Sequence, residues 1–382
     1  MRTSARWLSR TIWLGLLALL LPGSSASAQR PPDIPLNAGM NREIVEGVLK
    51  AIDRYYVSHE VARKIDESLR RRLQAGEYDR ITSAFDLVDA LDAHMQEVSK
   101  DRHLAMGYSH RPEPLDEGNP FPPETPQERE EARTAAIEAN FGFEKVERLP
   151  GNIGYLDIRK FIRPELSGDM TGVVMTFLAN TDAMILDLRN SQGGSLDMVV
   201  FLASYFFGGD EPFHLGGMYS RAENMTQQFW TSPYVPGRRY RDKDLYILLS
   251  KKTFSAPEGF AAFLQHHKRA TVVGERTAGG THPGRFVRVH PNFAVFVPMG
   301  WPVYPAGTPA FPIGRPVYPA SKADERGTGV TPDLELPADQ ALKAAHLAAV
   351  KRKLERDPSQ KERLEPILDG LKKELEALTP RP

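Results

Sequence analysis

Three short stretches carry residue types that could do chemistry. The first is Thr253-Phe-Ser-Ala-Pro-Glu-Gly259, which lies between the apolar runs Leu245–Leu249 and Phe260–Leu264. A serine that attacks a carbonyl needs an exposed hydroxyl, a base beside it and amides that hold the oxyanion. Ser255 stands where a strand gives way to a helix, and the free N–H groups of a first helical turn point toward that place. The same residues also read as a helix cap. Serine is a favoured N-cap, Glu258 three residues on completes an S-x-x-E capping box, and Pro257 suits the first turn. Local sequence leaves both readings open.

The second stretch is Asp187-Leu-Arg-Asn-Ser-Gln-Gly-Gly-Ser195. Two glycines after a buried strand let backbone N–H groups come close to a ligand, which suits an oxyanion hole. They equally suit a tight strand-to-helix turn that needs positive φ. The stretch lacks the G-x-x-x-x-G-K of a phosphate loop, and G-x-G-x-x-G is absent too. The third stretch is Lys100-Asp-Arg-His-Leu104. His103 is one of ten histidines, any of which could be a base, and a lone histidine is more often structural than catalytic. No H-E-x-x-H occurs, which disfavours a zinc protease.

The elements that must position these residues follow from periodicity. Ile44, Val45, Val48, Leu49 and Ile52 share one helical face. Val61, Ile65, Leu69 and Leu73 form a second stripe, and Phe85, Val88, Leu91 and Met95 a third, opened by Ser83 as a cap. This predicts a small helical bundle. A proline-rich arm follows, then strands and helices alternate. The predicted strands are Asn152–Ile158, Ala183–Leu188, Asp244–Ser250 and Ala270–Gly274. The predicted helices are Gly168–Asn180, Leu196–Phe207 and Ala256–His267. Phe286–Val297 alternates as an antiparallel pair does. The order β-α-β-α-β argues for an α/β layer with a largely parallel sheet. Asp339–Leu378 reads as two charged helical stretches split near Asp357-Pro358.

The chain of 382 residues suits two or three domains of about 100–200 residues. Basic and acidic residues balance at 49 each, so nothing points to a nucleic-acid partner, which would call for a clustered basic excess. Residues 1–28 have the pattern of an export signal: Arg2, Arg6 and Arg10, an apolar run from Ile12 to Leu21, then Ala26-Ser27-Ala28. The apolar run is short of the roughly 20 residues of a membrane span, so a periplasmic or secreted protein with no later span is expected. With no cysteine, a disulfide framework, a zinc–thiolate site and a cysteine nucleophile are all excluded.

Taken together, the stretches resemble the serine peptidases related to tail-specific (C-terminal processing) proteases, tricorn protease and interphotoreceptor retinoid-binding protein. The resemblance runs from about 41 to 335. It is carried by Asp101-Arg-His-Leu104, by Asp187-Leu-Arg-Asn with Gly193-Gly194, by Phe254-Ser-Ala-x-Glu258, by Val273-Gly-Glu-Arg-Thr-Ala-Gly-Gly280 and by Gly329-Val-Thr-Pro-Asp333. In the family's D-L-R-x-N turn the asparagine comes one place later than here. The resemblance implies an α/β fold like that of crotonase and Clp protease, built of repeated β-β-α units, with an N-terminal helical bundle.

It also implies a site. Ser255 would be the nucleophile, with Ala256 and Gly193 or Gly194 supplying oxyanion amides. The tail-specific branch places a lysine base in the loop after G-E-R-T, where this chain has Gly280. The tricorn-like and retinoid-binding-protein-like branch uses histidine from the D-x-H motif, which matches His103, and this chain resembles that branch more closely. Glu325, one place earlier than the family's glutamate before G-V-x-P-D, would orient the imidazole. The substrate would be a peptide or protein, with no cofactor and no metal. No PDZ-like domain is evident, so recognition of a free C-terminus is not supported. The expected organisation is a signal at 1–28, a bundle at 29–108, a proline-rich linker at 109–140, a catalytic domain at 141–340 and a helical extension at 341–382. A second reading keeps the scaffold and replaces catalysis with binding of an apolar ligand, since fold alone does not fix function. The aromatic, proline-rich stretch 300–319 could rim a cleft or simply cover the core.

Overall fold

A computed structural model describes residues 32–115, 124–208, 211–280, 282–303 and 329–378. The chain forms two compact units. The first runs to Ala132 and takes in Ser220–Met225 and Gly284–Gly300. The second comprises Arg133–Tyr219, Thr226–Pro283 and the chain from Trp301 onward. Residues 1–28, on which the export-signal reading rests, lie outside the described residues.

The first unit begins with three helices, α1 (Ala38–Tyr55), α2 (His59–Gln74) and α3 (Ala84–Ser99). Each starts on a polar cap whose side chain accepts a first-turn N–H: Asn37 from Met40, Ser58 from Val61 and Ser83 from Asp86. The stripe Ile44, Val45, Val48, Leu49 and Ile52 is buried as its spacing predicts. Asn41, fully buried, donates to the carbonyls of Tyr78 and Ile81, both at 2.8 Å, and so ties α1 to the turn after α2. Strand β1 (Ala105–Tyr108) follows, and α4 (Pro126–Glu138) comes after the proline-rich arm.

The second unit is built on a six-stranded sheet. Its strands are β2 (Phe143–Leu149), β3 (Ile153–Ile158), β4 (Ala183–Asp187), β7 (Asp244–Leu249), β8 (Thr271–Gly274) and β12 (Leu334–Glu335), ordered β12-β8-β7-β4-β3-β2. All pairs are parallel except β2–β3. A smaller sheet takes in β5 (His214–Ser220), β6 (Met225–Trp230) and β11 (Gly300–Val303). Leu156, Met184, Leu186, Ile247 and Leu249 pack against α5 (Pro164–Leu178), α6 (Leu196–Ala203) and α7 (Ala256–His266). The alternate residues Ile153, Tyr155, Ile185, Tyr246 and Leu248 pack against α8 (Ala338–Arg356) and α9 (Lys361–Leu378). Both faces are covered, so the central strands are apolar throughout rather than alternating. The C-terminal helices, read from sequence as a charged extension, thus close one face of this sheet. The contact stripe of α8 is largely alanine (Ala341, Ala344, Ala345, Ala349), which lets that helix lie close on the strands, while α9 packs with Leu364, Leu368 and Leu371.

The strand pair expected at Phe286–Val297 is present as β9 (Gly284–His290) and β10 (Phe293–Pro298). It belongs to the first unit, where β10 also pairs antiparallel with β1, Tyr108 opposite Phe293.

Candidate active site

In the second unit two strand ends are laced together. After β4, Asp187 is buried and accepts from the Arg189 backbone N–H at 3.1 Å, from its Nε at 2.9 Å and Nη2 at 2.5 Å, and from the Tyr155 hydroxyl at 2.8 Å. The Asp-Leu-Arg of the sequence motif is therefore an internal clamp. After β7, Ser250 Oγ donates to the Arg189 carbonyl at 2.5 Å, and Thr253 Oγ1 donates to the Leu188 carbonyl at 2.8 Å. The Phe254 N–H donates to the Ser191 carbonyl at 3.1 Å. These bonds fix the approach to Ser255 from three sides.

Ser255 itself has φ 68 and ψ −123. A side chain with a Cβ rarely occupies that region, and holding it there costs about 1–3 kcal/mol. It is the strained strand-to-helix turn in which a half-buried hydroxyl is presented at the end of a sheet. Glu258 takes up one half of the capping arrangement, accepting the Ser255 N–H at 2.6 Å on Oε2. The Glu258 N–H faces Ser255 in return, completing the reciprocal box, and donates to the Ser255 carbonyl at 2.9 Å. The departure from a plain N-cap lies in the backbone, since an N-cap takes β-region dihedrals and Ser255 does not.

The glycine turn lies beside this serine. Gly193 and Gly194 have φ 107 and 135. A Cβ on Gly193 would stand 3.7 Å from Ser255 Oγ. The Phe161 N–H donates to the Gly193 carbonyl at 2.9 Å, and the Phe161 carbonyl accepts from Ser195 at 2.6 Å. Ser191, between the clamp and the glycines, is fully buried, and its hydroxyl has no hydrogen-bond partner among the described residues.

His103 lies in the first unit, in the turn after α3. Lys100 ends that helix in the left-handed region at φ 55. Asp101 Oδ1 then accepts the His103 N–H at 3.0 Å, while the Tyr56 hydroxyl donates to Oδ2 at 3.2 Å. The aspartate of D-x-H thus shapes the turn that carries the histidine. The imidazole is buried, its centroid 5.5 Å from that of Phe296. Glu325 lies outside the described residues.

A family profile described as peptidase family S41 matches residues 152–336, and one described as the N-terminal domain of peptidase S41 in eukaryotic IRBP matches residues 36–147. The chain belongs to peptidase family S41. It is similar to the carboxy-terminal-processing protease of Bartonella bacilliformis, 29% identical over 137 residues, which are 35% of this chain and 30% of that protein. It is also similar to the carboxyl-terminal-processing protease of Synechocystis, 30% identical over 131 residues, 34% of this chain and 29% of that protein. The match thus spans under a third of either relative's length. Among solved structures, a candidate peptidase of Parabacteroides merdae has a TM-score of 0.52 at 17% identity, covering 80% of this chain and 95% of its own. That likeness is one of fold.

Within this S41 chain, two motifs of the sequence prove architectural. Asp333, which closes Gly-Val-Thr-Pro-Asp, accepts the Val272 N–H at 2.7 Å and the Gln265 amide at 2.9 Å, so it pins β12 to β8 and α7. Gly280, where the tail-specific branch has its lysine, packs against the Phe254 ring: a Cβ there would fall 2.2 Å from the ring. No side chain fits that position without moving Phe254.

Beside the clamp, Asp157 is buried, and burial followed by the charge of Asp187 pushes its pKa up to about 6. The folded state therefore binds this proton more tightly than the unfolded chain does. The cost of keeping Asp157 ionised is fully present above about pH 6 and falls away as pH drops toward the ordinary carboxylate range. Asp157→Asn is expected to raise stability by about 2 kcal/mol at pH 8, with the gain shrinking at pH 4.5. Denaturant melts at the two pH values check this. A gain that is equal or larger at pH 4.5 contradicts it.

Proposed function

We propose that this S41 chain is an exported serine endopeptidase in which Ser255 attacks the peptide carbonyl. The carrying observation is the backbone of Ser255, held at φ 68 with its hydroxyl beside the glycine turn. His103 takes the proton as the hydroxyl attacks and returns it to the leaving amine. Glu325 orients the imidazole. The amides of Ala256 and of Gly193 or Gly194 hold the oxyanion, each such donor contributing about 10²–10³ in rate. Support for the histidine scheme comes from position 280, which holds a glycine packed on the Phe254 ring in place of a lysine, and from the IRBP-type profile over the region that contains His103. Among the described residues no helix is long and apolar enough to cross a membrane.

The test is covalent. A fluorophosphonate added to the native chain should form one adduct, which peptide mapping places on Ser255. An adduct on another serine, or none at millimolar probe, overturns the reading and favours the apolar-ligand scaffold.

A further inference from the structure

Glu258 does more than a helix start requires. It is fully buried on the first turn of α7, and both of its oxygens are saturated by neutral donors. Oε2 accepts the Ser255 N–H at 2.6 Å and the Gly280 N–H at 2.7 Å. Oε1 accepts the Gly279 N–H at 2.8 Å and the Thr277 hydroxyl at 2.5 Å. Thr277 Oγ1 in turn accepts the Val330 N–H at 2.7 Å, so its own proton must go to Glu258. One carboxylate therefore joins the strained serine, the 277–280 loop and the Gly329–Asp333 segment. Burying an ionised carboxylate costs several kcal/mol, and a cap alone could be made by an exposed side chain.

We propose that Glu258 is a positioning residue for the nucleophile. Its charge draws in the Ser255 N–H, holds that residue at positive φ, and locks the loop that borders it. The inference rests on the serine-peptidase reading. Glutamine cannot replace it. Whichever oxygen becomes the amide nitrogen then faces a backbone N–H, of Gly279 on one side or of Ser255 and Gly280 on the other. Ser255 is then free to relax to ordinary backbone, and the hydroxyl leaves its attacking position. Encounter with a small probe does not depend on that φ, but bond formation does.

The experiment is fluorophosphonate inactivation of the full chain, resolved into the limiting rate and the half-saturating concentration. Glu258→Gln should lower the limiting rate about 100-fold and leave the half-saturating concentration within about threefold, since small misplacements of reacting atoms carry costs of that order. Val350→Ala opens a cavity on the far face of the sheet and serves as a control of matched melting temperature. It should label at the wild-type rate. If Glu258→Gln does not fold, Thr277→Val removes one donor and should slow the limiting rate about tenfold. Wild-type rates in either variant, with Ser255 still labelled in the native chain, overturn the positioning role alone. A rate loss that Val350→Ala reproduces also overturns it, as does a change confined to half-saturation. Failure of the native chain to label at all removes the peptidase reading beneath it.

Discussion

His103→Ala should abolish peptide hydrolysis about as completely as Ser255→Ala, each lowering kcat by on the order of 10⁴–10⁶. A serine hydroxyl is a poor nucleophile at neutral pH and attacks only as its proton leaves. In the proposed scheme, loss of the imidazole leaves the proton with nowhere to go and the glycine turn with no developing charge to stabilise. The two groups act as a unit in that scheme, so the double variant should be no slower than either single one. Turnover of fluorescein-labelled casein, with circular dichroism melts of all three variants, measures this. His103 packs on Phe296, so its removal also costs some stability in the first unit. Casein turnover is therefore compared well below each melting temperature. If His103→Ala keeps more than a tenth of the native kcat while Ser255→Ala is dead, another base serves the serine. If the single losses multiply in the double variant, the residues work independently.

How much of this was legible in the sequence differs by element. The helical stripes of α1 and α2 and the apolar runs of β3, β4 and β7 could be read because burial of one face, or of both, writes its own period into the local sequence whatever the partner is. Strands β5 and β6 left little trace: Met225-Thr-Gln-Gln-Phe-Trp230 buries only Phe229. The alanine stripe of α8 was hidden among charges, since alanine contributes little hydrophobic contrast. Phe286–Val297 was legible as a strand pair, but its place beside β1 was not, because no local signal reports a pairing so distant in sequence.

The site shows the same division. Ser-x-x-Glu reads alike whether the serine caps a helix or stands strained before one, and only the backbone dihedral separates the two. Four donors on Glu258 could not be anticipated, because three of them arrive from Thr277, Gly279 and Gly280. The Asp187 clamp was concealed in a different way. A buried Asp-Leu-Arg looks like chemistry in sequence, yet its charges are consumed by one another and by Tyr155.

The glycine turn offers the second large effect. Gly194 sits at φ 135, and a Cβ there would stand 2.1 Å from the Phe161 carbonyl oxygen and 2.6 Å from its carbon. Both are backbone atoms, and that carbonyl is already held by the Ser195 N–H. Gly194→Ala must therefore push the turn away from Phe161, breaking the pairing that sets Gly193 beside Ser255. The expected destabilisation is about 3 kcal/mol or more, from strained backbone and steric overlap together. The expected fall in kcat is about 10²–10³, the size of losing an oxyanion donor. Gly259 is the matched contrast: it lies in the first turn of α7, and a Cβ there meets nothing within 4 Å. Gly259→Ala should gain about 0.5–1 kcal/mol from helix propensity and keep its activity. Denaturant melts and casein turnover of the two alanine variants separate the outcomes. If Gly194→Ala melts with the native chain and turns over at the native rate, the turn is neither tight nor part of the oxyanion site.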